Sequence, residues 1–207
     1  MKLKTTASYC VLLTFLVVSI ADAEPIVNGC KIKRRTVCPG VDLSGKDLRH
    51  SNLAGANLES VNLSGANLSG DKISDANLTN ANLFKADLSN ANLSVSYLTG
   101  ANLSHAILTK AILSDASLSN ANLSNANLQG ANLSLTNLKG ANLSNADATN
   151  AVFMMSSMVG VNLTRTNLSG ATLVGADLRN AILKDTLFCN TTMPNRTVDN
   201  SSCPIPH

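Results

Sequence analysis

The sequence predicts an all-β solenoid, a chain wound at constant pitch around a column of leucines, and three observations predict it. From Val41 to Asn190 one five-residue unit close to Ala-Asn-Leu-Ser-Gly recurs thirty times without insertion or deletion, and self-similarity at a fixed period marks a repeat architecture. The leucine at each unit centre, as in Leu58, Leu68 and Leu78, stands two residues after a small one, usually alanine, as in Ala56, Ala66 and Ala76. On a helix, leucines five apart would step round by roughly 140° and cover every side. In extended chain, residues two apart share a face, so alanine and leucine point inward together and the asparagine between them points out. The fifth position is most often glycine or asparagine, as at Gly45, Gly65, Gly100, Asn80 and Asn120, residues that tolerate positive φ or supply local turn bonds. A corner every five residues makes the chain wind, and each short strand stacks on its equivalent a coil away.

Taken in order, residues 1–23 read as a secretory signal. Lys2 and Lys4 precede the apolar run from Val11 to Ile20, and Ala21-Asp22-Ala23 places cleavage before Glu24. The run is too short for a permanent membrane anchor. Residues 24–40 are expected to form an N-terminal cap, 41–190 the repeat and 191–207 a C-terminal cap. Aromatic side chains divide by position: Phe153 and Phe188 sit at unit centres and should be inside, Phe84 and Tyr97 at outward positions.

Tandem units such as Ala101-Asn102-Leu103 and Ala86-Asp87-Leu88 resemble those of the pentapeptide repeat family, over about three quarters of the chain. The resemblance implies a right-handed β-helix of square cross-section with four units per coil. Thirty units then make about seven and a half coils, a rod roughly 36 Å long at the spacing of stacked strands.

Export gives the cysteines meaning. Cys10 leaves with the signal, and Cys30, Cys38, Cys189 and Cys203 remain, an even number suited to an oxidising compartment. The first two precede the first coil and the others lie at or beyond the last, about 30 Å away on such a rod, whereas a disulfide needs Cα atoms within roughly 7 Å. The expected pairs are Cys30 with Cys38 and Cys189 with Cys203. The same separation disfavours a four-cysteine zinc site, and no metal or cofactor is expected. Terminal coils expose unpaired strand edges and so need closure. The segment from Phe188 to Cys203 resembles a closing module of bacterial family members, in which the proline is commonly followed by Asp-Gly; here Asn195-Arg196 follows Pro194. Pro194 stops strand propagation and lets the tail fold back.

Catalysis has little support. His50 and His105 fall at corners on different sides, His207 ends the tail, and the many serines have no base beside them. Some family members bind DNA gyrase by presenting an acidic, duplex-like surface. Loss of the signal takes two lysines and one aspartate, leaving fourteen basic and twelve acidic residues, the wrong sign for a nucleic-acid mimic. Neither nucleic acid nor gyrase is therefore an expected partner. The basic cluster Lys31, Lys33, Arg34 and Arg35 reads as a solvated cap. Asn-Leu-Ser/Thr units, as at Asn62, Asn102, Asn142 and Asn162, are glycosylation acceptors on a eukaryotic route, but stacked glycans would collide. Bacterial export, periplasmic or secreted, is favoured.

With residues twenty apart stacked, two sides stand out. The side centred on Leu63, Leu83, Leu103, Leu123, Leu143 and Leu163 carries a row of asparagines and a row of serines interrupted by Phe84, a ladder suited to self-stabilisation or to a regular ligand such as ice, mineral or polysaccharide. The side centred on Leu93, Leu113, Leu133, Phe153 and Leu173 carries Val95, Ile112, Leu135, Val152, Met154, Met155 and Val174 at outward positions, an apolar group that points to a protein partner or a homodimer. Asp71 and Lys46 occupy inward positions and predict local distortion in the first two coils. The expected function is a non-catalytic scaffold or interaction rod, with a regular-surface or glycan binder as the alternative and a DNA-mimic topoisomerase inhibitor behind it.

Overall fold

The structure, a computed structural model, describes residues 25–203. The expected signal at 1–23, with Cys10, and the terminal His207 lie outside the described residues.

The building unit is a three-residue side followed by a two-residue corner. At Leu53-Ala54-Gly55-Ala56 the Ala56 N–H donates to the Leu53 carbonyl at 3.0 Å, closing a turn whose third residue, Gly55, has φ 67°. The asparagine ahead of each leucine reinforces the corner: Asn62 Oδ1 accepts from the Ser64 N–H at 3.2 Å, an Asx turn. Every fifth residue from Arg35 to Asn190 has positive φ, whatever its side chain.

Units then pair at a distance. Asn62 bridges Asn82, which bridges Asn102, all in parallel, and the same twenty-residue register runs from the Val37↔Asn57 bridge to Thr172↔Thr192. The pairing thus takes in Val37 and Thr192, one unit outside 41–190 at each end. Leu63 N–H donates to the Asn82 carbonyl at 2.7 Å and Asn82 N–H to the Val61 carbonyl at 2.9 Å, so backbone groups that point along the winding axis are satisfied by the next coil. Twenty residues are four units, and the chain is an all-β solenoid with four stacked sides. Inside it the leucines and alanines form one continuous buried column. Phe153 is fully buried and Phe188 nearly so, whereas Tyr97 is half exposed.

Asp71 points inward and is buried, but Lys46 is exposed and so corrects the expectation that it faces the core. Lys46 lies in the first coil, where no coil precedes it to enclose the position, and its ammonium keeps its hydration by turning outward. The expected distortion is present but local: the Asn52↔Lys72 and Lys72↔Asn92 bridges keep the common register, while the His50 N–H and the Lys72 N–H lack the inter-coil bonds that Gly45 N–H makes to the Ser64 carbonyl and Asn67 N–H to the Lys46 carbonyl one unit earlier. Ser51 Oγ donates to Asp71 Oδ2 at 2.8 Å, while Asp71 Oδ1 is buried with no hydrogen-bond partner among the described residues.

At the N-terminal end, β1 (Ile26–Val27) and β2 (Cys30–Lys31) form an antiparallel hairpin with Val27 opposite Cys30. Its two-residue turn, Asn28-Gly29, has φ 50° and 79°, the pair of positive values that matches strand twist. Cys30 and Cys38 are joined with Cα atoms 5.7 Å apart. At the other end, β3 (Thr191–Thr192) pairs antiparallel with β4 (Val198–Asp199) around Pro194-Asn195-Arg196. Asn195 Oδ1 holds that turn by accepting from the Thr197 N–H at 3.1 Å and from Thr197 Oγ1 at 2.7 Å. Cys189 and Cys203 are joined with Cα atoms 4.7 Å apart. The returning tail lies over Thr191 and Thr192 and reaches the Phe188 carbonyl through the Ser202 N–H at 2.9 Å. It covers two of the four sides; on the other two, Leu183 is 41% exposed despite its place at a unit centre.

Candidate functional site

The side bearing Leu93, Leu113, Leu133, Phe153 and Leu173 is one pairing row: Asn92, Ile112, Asn132, Val152 and Thr172 bridge in turn. Leu135 N–H donates to the Met154 carbonyl at 2.8 Å, and Met155 N–H to the Val174 carbonyl at 2.9 Å. Leu135, Val152, Met154, Met155 and Val174 therefore sit on adjacent coils and form one patch. Ile112 is separated from Val152 by Asn132, and Val95 from Leu135 by the coil that carries Asp115. Those two flank the patch rather than complete it. Leu135 and Met155 are 54% and 66% exposed, while Val152 and Val174 are half-buried.

The corners of this side are costly. Val95, Leu135 and Met155 have φ 61°, 60° and 54°, in the left-handed region where Cβ crowds the following carbonyl and where these apolar side chains lack the local hydrogen bond by which asparagine offsets the cost. Directly after each stands a buried hydroxyl where the repeat usually places alanine: Ser96, Thr136 and Ser156. Ser96 Oγ donates to the Leu93 carbonyl at 2.6 Å, Ser156 Oγ to the Phe153 carbonyl at 2.8 Å, and Thr136 Oγ1 to the Leu113 carbonyl at 2.8 Å. Each clamps the turn, or the coil beneath it, that presents the apolar corner. The sequence carries this signal as a departure from alanine next to a departure from glycine or asparagine, and reasoning from the repeat alone passes over it.

The side centred on Leu63 uses its polar groups internally. Asn82 Nδ2 donates to Asn62 Oδ1 at 3.1 Å, Asn102 Nδ2 to Asn82 Oδ1 at 3.3 Å and Asn142 Nδ2 to Asn122 Oδ1 at 3.4 Å. The same Oδ1 atoms accept from backbone N–H groups two residues on. Phe84 breaks the serine row, packed edge-on against His105 at 5.7 Å with Lys85 Nζ 5.1 Å from its ring centre.

A cleft of about 400 Å³ opens at the N-terminal end between the β1–β2 hairpin and the first coil, lined by Val27, Ile32, Leu48, His50 and Ser51 among others. Behind Ser51 lies Asp71, whose carboxyl is pushed up to about 6 by burial. Asp47, exposed at the cleft rim, is held down at about 2 by the Arg49 guanidinium that forks onto it. Among the described residues no group of His, Cys, Asp or Glu gathers where it could hold a metal ion.

Comparison with known proteins bears on the fold first. A family model described as pentapeptide repeats matches residues 35–70, 76–115, 116–153 and 156–193. Among solved structures, the chain is 27% identical to HetL, a pentapeptide repeat protein involved in heterocyst differentiation regulation from the cyanobacterium Nostoc sp. strain PCC 7120, with a TM-score of 0.55 over 79% of this chain and 91% of that one. It is 28% identical to the pentapeptide repeat protein Rfr23 of the cyanobacterium Cyanothece 51142, over 76% of this chain and 88% of that one, with a TM-score of 0.20. A pentapeptide repeat protein of the Arabidopsis thaliana thylakoid lumen is 36% identical over 54% of this chain and 68% of that one, with a TM-score of 0.18. No curated protein matches.

Proposed function

The chain belongs to the pentapeptide repeat family, and on that premise we propose that it is an exported, non-catalytic interaction rod whose Leu93 side receives a protein partner. The observation that carries this is Leu135 and Met155 stacked at positive φ, with Val95 at the same corner two coils earlier. Positive φ is common to every corner, Lys85, Lys110 and Arg165 included, so what sets these corners apart is exposed apolar surface on adjacent coils, which points to a contact. Met154 beside them adds a pliable contact of the kind that adapts to a partner's shape. The winding is right-handed and square in section, with about seven and a half coils, a proposal supported by the twenty-residue register. Export to a bacterial periplasm or beyond is supported by the two disulfides and by the signal-like residues 1–23.

A binder of ice, mineral or polysaccharide on the Leu63 side has less support, because the asparagine ladder spends its donors and acceptors on itself. A topoisomerase inhibitor acting as a nucleic-acid mimic has less again, given the net positive charge. A photoreactive residue at Met155 should capture one protein from the exported fraction, one at Thr164 on the Leu63 side should not, and Leu135→Asp with Met154→Asp should abolish the capture. Equal labelling from both sites, or capture unaffected by the double substitution, overturns the proposal.

A further inference from the structure

At the N-terminal end the Leu48 side starts the winding with no coil before it. Farther along the rod, the middle residue of a side ties it to the preceding coil: Asn67 N–H donates to the Lys46 carbonyl at 2.9 Å, and the Asn67 carbonyl accepts from the Leu48 N–H at 2.8 Å. Asp47 is the middle residue that pairs with Asn67, and its own N–H and carbonyl have no backbone partner among the described residues. A strand edge that keeps a donor and an acceptor unpaired is a template for another strand. Asp47 and Leu48 also line the cleft of about 400 Å³ beneath the β1–β2 hairpin, a size within the range of ligand pockets, roughly 300–1,000 Å³. Val27, Ile32 and Leu48 give the cleft apolar walls, and Lys33, Arg34 and Arg49 line it against the carboxylate of Asp47. Three cations and one carboxylate leave it positive on balance.

We propose that this cleft takes an extended peptide of another protein as an added rung on the Asp47 edge, a leucine-like residue followed by acidic ones. The site is at the end of the rod, separate from the Leu93 side. Three features select this occupant. A donor and an acceptor on one residue match a peptide backbone, which offers both, and not a simple carboxylate or amine, which offers one kind. Apolar walls take the leucine-like side chain, and the positive balance takes the acids. Every inter-coil bridge in the rod is parallel, and continuing that pattern fixes the register. The peptide residue opposite Asp47 points outward; the one before it accepts from the Asp47 N–H, and the one after it donates to the Asp47 carbonyl. That next residue faces inward, as Leu48 does, and is the leucine-like one, placed between Leu48, Val27 and Ile32. The residue following it stands over Arg49, in the cleft that Arg34 also lines, and is acidic.

The test uses the exported protein with both disulfides intact, titrated with the synthetic peptide acetyl-Ala-Asn-Leu-Asp-Asp-amide and followed by amide NMR. The Asp47 amide should shift saturably as it gains an acceptor, together with the amides of Val27, Leu48 and Arg49. The same peptide with N-methyl leucine has lost the donor to the Asp47 carbonyl and should bind about tenfold more weakly. A peptide with lysines in place of the two aspartates should bind more weakly than the parent, and Arg34→Glu, an exposed change, should weaken the parent peptide while leaving the rest of the spectrum as it was. Octanoate, an amphipathic anion without a backbone, should not displace the peptide. Leu135→Asp with Met154→Asp should leave peptide binding intact, so failure at this site and failure of the Leu93 side are separate results. No saturable shift at Asp47, equal binding of the N-methyl peptide, or displacement by octanoate overturns the inference.

Discussion

Thr136 Oγ1 donates to the carbonyl of Leu113, 2.8 Å away on the coil before, from an inward position where the repeat usually places alanine. The same twenty-three-residue link joins Thr166 to Leu143, Thr186 to Leu163 and Thr191 to Leu168. At Ser96 and Ser156 the hydroxyl bonds within its own turn instead, to the Leu93 and Phe153 carbonyls. Threonine's second Cβ substituent restricts χ1, and its hydroxyl is then committed to the neighbouring coil. These four threonines tie neighbouring coils and these two serines tie corners, while Ser51 reaches Asp71 on the next coil.

Thr136→Val keeps the shape and removes the staple. The Leu113 carbonyl still accepts from the Ala116 N–H at 3.1 Å, so no group is orphaned and the loss should be about 1 kcal/mol. Urea unfolding followed by circular dichroism measures it, and a variant as stable as the parent would show that the hydroxyl contributes nothing net.

Asp71 sets a pH dependence with a definite sign. Its carboxyl is raised by burial from 3.8 to about 6, so the folded protein holds a proton that the unfolded chain has already released. The stability that Asp71 contributes should be fully present below about pH 4, fall as pH rises from about 4 to about 6, and be absent above that. Asp71→Asn, neutral at every pH and still able to accept from Ser51, should remove the slope and gain roughly 2–3 kcal/mol above pH 6. Denaturation midpoints at about pH 4 and about pH 8 compare the two proteins, and parallel pH profiles would refute the assignment.

Leu135→Asn should raise stability by about 1 kcal/mol, because asparagine accepts the left-handed corner more readily than leucine, and should weaken partner capture. The two effects have opposite signs, which separates a residue kept for contact from one kept for folding. A loss of stability would mean that Leu135 packs the corner more than it strains it.

Cys189→Ser with Cys203→Ser should lower stability by about 3 kcal/mol on the chain-entropy estimate for a loop of this length. Hydrogen exchange should rise first around Phe188 and Thr191, the sides that the tail covers. The N-terminal coils, pinned by the separate Cys30–Cys38 bond, should exchange as before.

Much of the architecture is legible in the repeat because each unit repeats one local solution: inward Leu58 and Ala56, outward Asn57, a turning fifth residue. The backbone honours that solution even at Lys85, Val95 and His105, which would not choose positive φ alone, since pairing above and below over-determines each corner. Lys46 was misplaced by the same logic, as periodicity treats every coil as internal and an end coil is not. The apolar group was visible as a set of departures, but its division into one patch with Val95 and Ile112 outlying depends on which coils adjoin.

By itself, then, the sequence determined the periodic part of this protein: extended sides, corners every five residues and a leucine interior, because these follow from local conformational preference and burial repeated at one spacing. Only the tertiary structure decided what depends on neighbours twenty residues away. It directs the Thr136 hydroxyl to the coil before, makes Asp71 a buried acid while freeing Lys46, and leaves the Ala181 carbonyl and the Leu183 N–H without a backbone partner among the described residues. Those outcomes turn on whether a coil lies above or below a residue, and no five-residue pattern contains that information.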